Sequence, residues 1–189
     1  MRLLLATRNP HKLREFERLL PHVALEPLPE GTRTPPEDGD TYAANALIKA
    51  RAAAAATGRA AIADDSGIEA EALGWAPGVR SARFAGEQAT DPQNLAKLAA
   101  AAPAGSRLRY VCVIAHVAPD GTERTFEGMA AGVVANAPRG SRGFGYDPLF
   151  VPDDGPADGR TMAELTDAEK DAISHRGRAA RALAEWLSR

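Results

Sequence analysis

Short apolar runs and amphipathic stretches alternate at the start of the chain, and this alternation predicts a strand followed by a helix. Residues 2–7 (RLLLAT) form an apolar run that predicts a buried strand, and Asn9-Pro10 predicts a turn after it. Residues 12–20 carry apolar side chains at helical spacing and predict the first helix. Residues 21–40 contain five prolines and two glycines, so we expect a loop or an irregular edge there.

A long helix and a second buried strand follow. The alanine-rich residues 42–57 predict a helix that Gly58 closes at its C′ position. Residues 60–63 predict a short strand that leads directly into DDSG at residues 64–67. Periodicity is weak over residues 74–91, where we expect a loop.

The second half of the chain predicts an antiparallel hairpin and a C-terminal helix. Residues 108–118 and 122–134 predict two strands joined by a Pro-Asp-Gly turn. Thr166 and Glu169 have the spacing of a capping box, and a final amphipathic helix extends over residues 179–187. The other predicted elements are a helix at 92–101, a glycine-rich segment at 139–146 and a short strand at 149–151. We therefore expect one α/β domain over residues 1–189, without repeats or a linker.

Composition and charge limit the functions that this chain can have. Of its 189 residues, 44% are apolar and 25% are charged, which is typical of a folded globular protein. Lysine and arginine number 23 against 25 acidic residues, and this near-neutral balance argues against a general nucleic-acid binder. Any affinity for phosphate must therefore come from a local site.

Cysteine content and the N-terminal sequence favour a reducing cytoplasm. Cys112 is the only cysteine, which excludes an internal disulfide framework and a multi-cysteine zinc site. The apolar run at residues 1–7 is too short for a signal peptide, and no stretch approaches the roughly 18–20 apolar residues of a membrane span. We expect a cytoplasmic protein with no membrane partner.

Residues 64–67 are the first candidate site, because they place two carboxylates directly after a buried strand. Ligands of α/β sheets bind at the carboxyl ends of strands, and carboxylate oxygens suit Mg²⁺. One of the pair Asp64 and Asp65 would then bind the metal while its neighbour accepts a proton from an attacking water. The alternative is a solvated turn, since Asp, Ser and Gly are turn formers.

Residues 7–12 (TRNPHK) connect the first strand to the first helix and form a second candidate. Backbone N–H groups at a helix start, together with the Lys12 ammonium, form an anion pocket. The segment lacks the glycine patterns of a P-loop or a Rossmann fold. An ordinary polar turn with a solvated lysine is the alternative.

Acidic residues and a lysine flank the long helix. Glu37 and Asp38 precede it, where acids either favour the helix dipole or complete a metal site with Asp65. Lys49 lies seven residues after Tyr42, on roughly the same helical face. It either points to the same site or is an ordinary solvated lysine.

Two further segments suit a planar ligand. Residues 143–148 (GFGYDP) pair two aromatic rings with two glycines, and such rings stack on bases while glycines allow close approach to the backbone. The alternative is a glycine hairpin with one ring in the core. His175 and Arg176 open the last helix, with Lys170 just before them, and can donate to a carbonyl or phosphate. A helix cap with exposed charges is the alternative there.

Five segments occur in one order and together resemble a known family. They are ATRNPHKLREF, EDGDTYAANALIKA, ADDSGIEAEALGWAPGVRSARFAG, GFGYDPLF and TMAELTDAEKDAISHRG. Each is weak alone, but five in sequence with compatible spacing are highly specific. From residue 3 to about residue 187, the chain resembles the inosine/xanthosine triphosphate pyrophosphatases, the Ham1-like nucleoside triphosphatases.

The resemblance implies a Mg²⁺-dependent enzyme that hydrolyses deaminated purine nucleoside triphosphates (ITP, dITP and XTP) to the monophosphate and pyrophosphate. It implies an elongated α/β fold with a mixed sheet flanked by helices, two lobes with a central cleft, and a homodimer. By position, Asp65 is catalytic and binds the metal with Glu37, and Lys49 and Asp64 are further candidates. The implied substrate contacts are Thr7, Arg8, Asn9, Pro10, His11, Lys12, Ser66, Phe144, Gly145, Tyr146, Asp147, Lys170, His175 and Arg176.

The chemistry of such a substrate agrees with these residues. A nucleoside triphosphate brings about four negative charges, which Mg²⁺, Lys12 and Lys49 would offset. Inosine and xanthine carry a carbonyl at C6 where adenine carries an amino group. Donors such as His175, Arg176 or backbone N–H groups would stay unpaired against adenine and would therefore discriminate against it.

The chain departs from the family pattern in two places. Arg8 and His11 stand where the family commonly has glycine, which adds bulk and charge to the first loop. Pro36 shifts the acidic pair before the long helix, so the metal ligand there is either Glu37 or Asp38.

Two other functions compete with this interpretation. One is a related Mg²⁺ enzyme acting on other modified purine or pyrimidine nucleotides. The other is a nucleotide-sensing or RNA-binding module that does not hydrolyse its ligand. The near-neutral charge and the clustered carboxylates argue against the second, because carboxylates repel phosphate unless a metal is present.

Overall fold

The six strands of the chain lie in one sheet, and the computed structural model describes residues 1–189. The strands are β1 (Arg2–Leu5), β2 (Ala24–Pro27), β3 (Ala61–Ala70), β4 (Arg107–Val117), β5 (Glu123–Val134) and β6 (Phe150–Pro152). Their order in the sheet is β2-β1-β3-β4-β5-β6. β1 pairs in parallel with β2 and β3, whereas β6 pairs antiparallel with β5, so the predicted mixed sheet is confirmed.

Five α-helices complete the fold, and their ends follow from groups that satisfy free backbone donors and acceptors. They are α1 (Pro10–Leu19), α2 (Tyr42–Thr57), α3 (Asp91–Ala101), α4 (Asp167–Ile173) and α5 (His175–Leu187). Asn9 caps α1 by accepting two backbone N–H groups. Gly58 ends α2 at φ 66°, a left-handed conformation that glycine adopts without strain. The predicted capping box of Thr166 and Glu169 begins α4.

The chain divides into two compact units, whose boundaries fall inside β3, β4, β5 and α5. The first unit comprises Met1–Asp65, Cys112–Gly128 and Arg178–Arg189, and the second comprises Ser66–Val111 and Met129–Gly177. The core of the first unit includes Leu3, Phe16, Ile62, Ile114 and Leu183. The core of the second unit includes Ile68, Leu98, Leu108, Tyr146 and Phe150.

β3 differs most from its prediction. The sequence predicts a short strand at residues 60–63 that leads into DDSG, but β3 continues to Ala70, so the predicted strand end and the alternative of a solvated turn at 64–67 are both wrong. Both aspartates of the segment are buried. A buried carboxylate is tolerated when it is paired, and lysine ammonium groups here take the place of the water that a turn would offer.

Other elements agree with their predictions or extend them. The predicted hairpin is confirmed, with the Ala118 N–H donating to the Thr122 carbonyl at 2.9 Å beside its turn. The predicted loop at 21–40 contains the edge strand β2, which ends at Pro27 and tolerates a proline because it pairs on one side only. Residues 74–91 contain a short 3₁₀ helix, Gly78–Arg83. No helix of the protein has both the length and the apolar character that crossing a bilayer requires.

The buried His116 of β4 predicts a stability that depends on pH. Its ring meets that of Trp186 edge-on at 4.9 Å, and burial lowers its pKa from the ordinary value of 6.5. As pH falls below 6.5, the unfolded chain therefore binds a proton that the folded protein does not, so the fold is destabilised. The loss amounts to about 1.4 kcal/mol for each unit of pKa difference.

Urea unfolding at several pH values between about 5 and 8 measures how the free energy of unfolding depends on pH. We expect wild type to lose stability on acidification relative to His116→Gln. The exposed His22 supplies the control, since His22→Gln should follow wild type. Identical pH dependence in wild type and His116→Gln would contradict the role of His116.

Candidate active site

The two aspartates of β3 are oriented by different helices, because successive side chains of a strand point to opposite faces of the sheet. Asp64 Oδ2 forms an ion pair with Lys12 Nζ of α1 at 2.9 Å and accepts the Cys112 thiol at 3.9 Å. Asp65 Oδ2 instead accepts a hydrogen bond from Asn45 Nδ2 of α2 at 3.0 Å. Each carboxylate therefore has its own set of donors.

Lys49 of α2 contacts both Asp64 and Asp65. Its Nζ donates to the Asp64 carbonyl at 2.6 Å, pairs with Glu37 Oε1 at 2.8 Å and lies 3.9 Å from Asp65 Oδ1. Its side chain is only 7% exposed, so the alternative of a solvated lysine is wrong. Asp38 is exposed, and Glu37 is the acid of the pair that contacts this cluster.

Asn45 links Asp65 to the segment that carries Glu37. The Asn45 side chain is fully buried, and its Oδ1 accepts the Gly39 N–H at 2.8 Å while its Nδ2 donates to Asp65. A Cβ atom at position 39 would lie 2.8 Å from Asn45 Oδ1 and 2.8 Å from the Ala44 Cβ. Glycine is therefore required at position 39 by the close approach of α2.

Burial and charge shift the pKa values of this cluster. Burial raises the pKa of Asp65, and it outweighs the opposing effects of Lys49, the Asn45 hydrogen bond and Lys12. Burial alone would lower the pKa of Lys49, but Asp64, Glu37 and Asp65 raise it above its ordinary value. Lys49 is therefore a permanent cation, and Asp65 is a carboxylate with increased affinity for a proton.

The first loop is held by its own side chains. The Asn9 N–H donates to Thr7 Oγ1 at 3.2 Å, and Pro10 occupies the first turn of α1. The Arg8 guanidinium donates to the Thr32 carbonyl at 2.6 Å, so this residue joins the loop to the segment before α2. His11 Nδ1 lies 3.0 Å from Arg14 Nη2. Of this loop, the Lys12 ammonium is the side chain that reaches the cluster on β3.

A second polar cluster, in the second unit, is built on Asp147. Its Oδ2 accepts the Lys170 ammonium at 2.6 Å and the Phe144 N–H at 2.9 Å, and its Oδ1 accepts the Tyr110 hydroxyl at 3.2 Å. Asp147 and Lys170 are both almost completely buried. Gly143 has φ 70°, and a Cβ there would overlap Asp147 Oδ2. The glycine-rich turn thus closes around a buried carboxylate.

The start of α5 supplies the other donors of this cluster. His175 and Arg176 are buried, so the alternative of exposed capping charges is wrong. The Arg176 Nη2 donates to Ser66 Oγ at 2.8 Å, which connects α5 to β3. The half-buried Phe144 ring lies 5.6 Å from the Arg176 guanidinium carbon and 5.3 Å from Lys170 Nζ.

Gly145 and Tyr146 form hydrogen bonds with other residues of the second unit. The Tyr146 ring lies in the core, and its hydroxyl donates to the Ser81 carbonyl at 2.7 Å. The Gly145 N–H donates to Asp91 Oδ2 at 3.0 Å. The alternative of one ring in the core is therefore confirmed for Tyr146, and Phe144 is the aromatic ring with an accessible surface. The Ser81 carbonyl, within residues 78–83, thus contacts this turn.

Sequence reasoning missed three residues of these clusters. Asn45 lies four residues before Lys49, and this helical spacing is a signal that could have found it. Tyr110 and Ser81 carry no such signal, because the residues through which they join this cluster, Asp147 and Tyr146, lie 37 and 65 positions away in sequence. Their role depends on tertiary packing that a local pattern does not encode.

The first cluster comprises Lys12, Glu37, Asn45, Lys49, Asp64 and Asp65, and thus contains three carboxylates. The structure contains no group of three or more His, Cys, Asp and Glu side chains that could hold a metal ion. Mg²⁺ in nucleotide enzymes is usually bound by one or two carboxylates and by substrate phosphates. Asp65 and Glu37, which both lie near Lys49 Nζ, are the carboxylates that could hold such a cation.

The mixed sheet with its flanking helices defines an α/β protein that contains a buried cluster of lysines and carboxylates. The model of the Ham1 family matches residues 3–186, and the chain therefore belongs to the Ham1 family.

Its relatives are similar over their full length. The chain is 50% identical to the dITP/XTP pyrophosphatase of Symbiobacterium thermophilum, covering 100% of this chain and 94% of that one. It is 48% identical to the dITP/XTP pyrophosphatase of Frankia alni, covering 99% and 97%. The solved structure of a HAM1 protein from Coxiella burnetii is 41% identical, with a TM-score of 0.87 and coverage of 100% and 98%.

Asn45→Ala tests the hydrogen bond that orients Asp65. Loss of a group that orients a ligating carboxylate typically reduces activity or metal affinity by about 10- to 100-fold. We expect a fall of that size in nucleotide turnover, measured by pyrophosphate release. Gly39→Ala should have an effect of the same kind, because its new Cβ displaces the Asn45 amide. Asn136→Ala, at an exposed asparagine, is the control, and wild-type turnover in Asn45→Ala would contradict the role of Asn45.

Proposed function

We propose that this chain hydrolyses deaminated purine nucleoside triphosphates, namely ITP, dITP and XTP, to the nucleoside monophosphate and pyrophosphate. One observation carries this conclusion: a buried carboxylate, Asp65, lies beside the buried Lys49 ammonium at the centre of a cluster that also contains Lys12. Membership of the Ham1 family and the names of the relatives support the same activity.

The first cluster is suited to a triphosphate only when a cation accompanies it. Lys12 and Lys49 bring two positive charges, against three carboxylates at Glu37, Asp64 and Asp65. A triphosphate adds about four negative charges, so the two lysines alone do not compensate for it. We therefore propose Mg²⁺ as the cofactor, with Asp65 and Glu37 as its protein ligands.

When bound, Mg²⁺ would supply charge compensation for the phosphates and lower the barrier to attack by water. The protein's own residues carry out the other steps. Asn45 and Lys49 fix the orientation of Asp65, whose raised pKa suits a group that accepts a proton from the attacking water. Lys12, in the first turn of α1, would hold phosphate oxygens, because its ammonium reaches the cluster on β3.

The second cluster is suited to reading a purine. Phe144 offers a ring surface for stacking, while His175, Arg176 and Lys170 offer donors within a buried setting. A donor aimed at C6 of the base pairs with the carbonyl of hypoxanthine or xanthine and meets another donor in adenine. Leaving buried polar groups unpaired in this way can discriminate by about 10⁴-fold.

Asp65→Asn tests the proton acceptor. An amide preserves the size and the hydrogen-bonding shape of the carboxylate but does not accept the proton, and a general base contributes about 10²- to 10⁴-fold. We expect turnover of ITP to fall within that range while the thermal unfolding curve stays that of a folded protein. The exposed Asp40 provides a matched control as Asp40→Asn. Near wild-type turnover in Asp65→Asn would contradict the assignment of the base.

Product analysis tests the function itself. ITP, XTP, GTP, ATP and dUTP are each incubated with Mg²⁺, and pyrophosphate is measured separately from orthophosphate. We expect pyrophosphate from ITP and XTP and little product from ATP or GTP. Orthophosphate would mean cleavage at a different phosphorus, preferential turnover of dUTP would favour a related enzyme for other nucleotides, and binding without turnover would favour a nucleotide-sensing module.

We also propose that the enzyme acts in the cytoplasm as a homodimer, which the family resemblance supports. Its substrates would be free nucleotides, because the net charge of −2 gives no general affinity for nucleic acid. Light scattering coupled to size-exclusion chromatography measures the oligomeric state.

A further inference from the structure

Tyr110 of β4 contacts two residues of the second cluster at once. Its ring stacks in parallel on that of His175, with 4.4 Å between centroids and 5° between planes. Its hydroxyl donates to Asp147 Oδ1 at 3.2 Å. Phe150 supports the tyrosine from another direction at 4.8 Å. The Tyr110 side chain is only 7% exposed, so these contacts hold it in one orientation.

The stack on Tyr110 determines the plane of the His175 imidazole, which the backbone of α5 leaves open. The χ2 torsion of a histidine is broad, so a helical backbone leaves the plane of the imidazole open. A parallel ring at 4.4 Å removes that freedom, because rotating the imidazole would drive its edge into the tyrosine. Tyr110 therefore fixes the plane in which the His175 nitrogens lie.

The Tyr110 hydroxyl supplies one of three hydrogen bonds to the Asp147 carboxylate. Asp147 also accepts Lys170 and the Phe144 N–H on its other oxygen, and these two donors remain when the Tyr110 hydroxyl is lost. Removing the hydroxyl therefore leaves Lys170 and the glycine-rich turn in place. The ring and the hydroxyl of Tyr110 can thus be tested separately.

We propose that Tyr110 is a positioning residue for base recognition, acting through the plane of the His175 imidazole. This inference rests on the proposed function, since it requires that His175 contacts the base of the substrate. It gives β4 a role in specificity that does not involve contact with the nucleotide.

We expect substitutions of Tyr110 to leave the residues of the first cluster unaffected. Asp65, Asn45 and Lys49 contact one another and residues 37, 39 and 64, all of which belong to the first unit. Loss of the ring should therefore raise KM for ITP and reduce the preference for ITP over ATP, with kcat nearly unchanged. A merely structural role would lower kcat together with the amount of folded protein.

The experiment measures KM and kcat for ITP and ATP in Tyr110→Phe and Tyr110→Met, each in wild type and in His175→Ala. Phenylalanine keeps the ring, whereas methionine fills a similar space without one. We expect Tyr110→Phe to stay within about 3-fold of wild type and Tyr110→Met to raise KM for ITP by about 10-fold or more. In the His175→Ala background, Tyr110→Met should change KM by less than about 2-fold, because the two residues act as one unit.

Phe126→Met is the control for loss of a buried ring elsewhere, since Phe126 belongs to the core of the first unit. An unchanged KM in Tyr110→Met, or the same increase in both backgrounds, would overturn the proposal. If wild type does not hydrolyse ITP, the proposed function and this inference both fail. If wild type is active and Tyr110→Met is neutral, only the inference fails.

Proton NMR of folded wild type provides a second test, which does not depend on whether Tyr110→Met folds. The imidazole C–H signals of His175 are assigned as those absent from His175→Ala. The stacked tyrosine should shift them upfield of the signals of exposed histidines such as His22. Unshifted His175 signals would show that the stack is not formed and would overturn the proposal.

Discussion

The buried ammonium of Lys49 is the constraint on which the first cluster depends. An ammonium group is costly to remove from water unless acceptors replace its hydration. Here the Asp64 carbonyl and Glu37 meet it at 2.6 and 2.8 Å, and Asp65 lies at 3.9 Å. These contacts hold together β3, α2 and the segment before α2. They also allow two adjacent aspartates to lie inside a strand.

Three successive residues of β3 have three different sets of partners. Asp64 pairs with Lys12, Asp65 with Asn45 and Lys49, and Ser66 with Arg176. An exposed turn of the same composition would leave these side chains solvated and mobile. Extended backbone instead gives each of them a fixed direction. The chemistry of the site therefore depends on the strand continuing through DDSG.

The sequence was sufficient to predict the elements whose signals are local. The helix at 42–57 with its Gly58 cap, the capping box at Thr166 and the hairpin all follow from short patterns. The continuation of β3 could not be predicted this way, because Asp and Gly favour turns unless distant lysines pair with the acids. The pairing of Tyr110 with His175 is likewise set by packing between β4 and α5 rather than by spacing. The roles of the site residues remain predictions that the variants above test.

We propose that the cluster around Lys49 accepts a divalent cation together with a polyphosphate rather than before it. Calorimetric titration of the protein with Mg²⁺, alone and with a non-hydrolysable ITP analogue, measures this most directly. Because Lys49 already neutralises Glu37 and lies close to Asp65, we expect weak binding of Mg²⁺ to the free protein and much tighter binding with the analogue. Equally tight binding of Mg²⁺ without nucleotide would contradict the account.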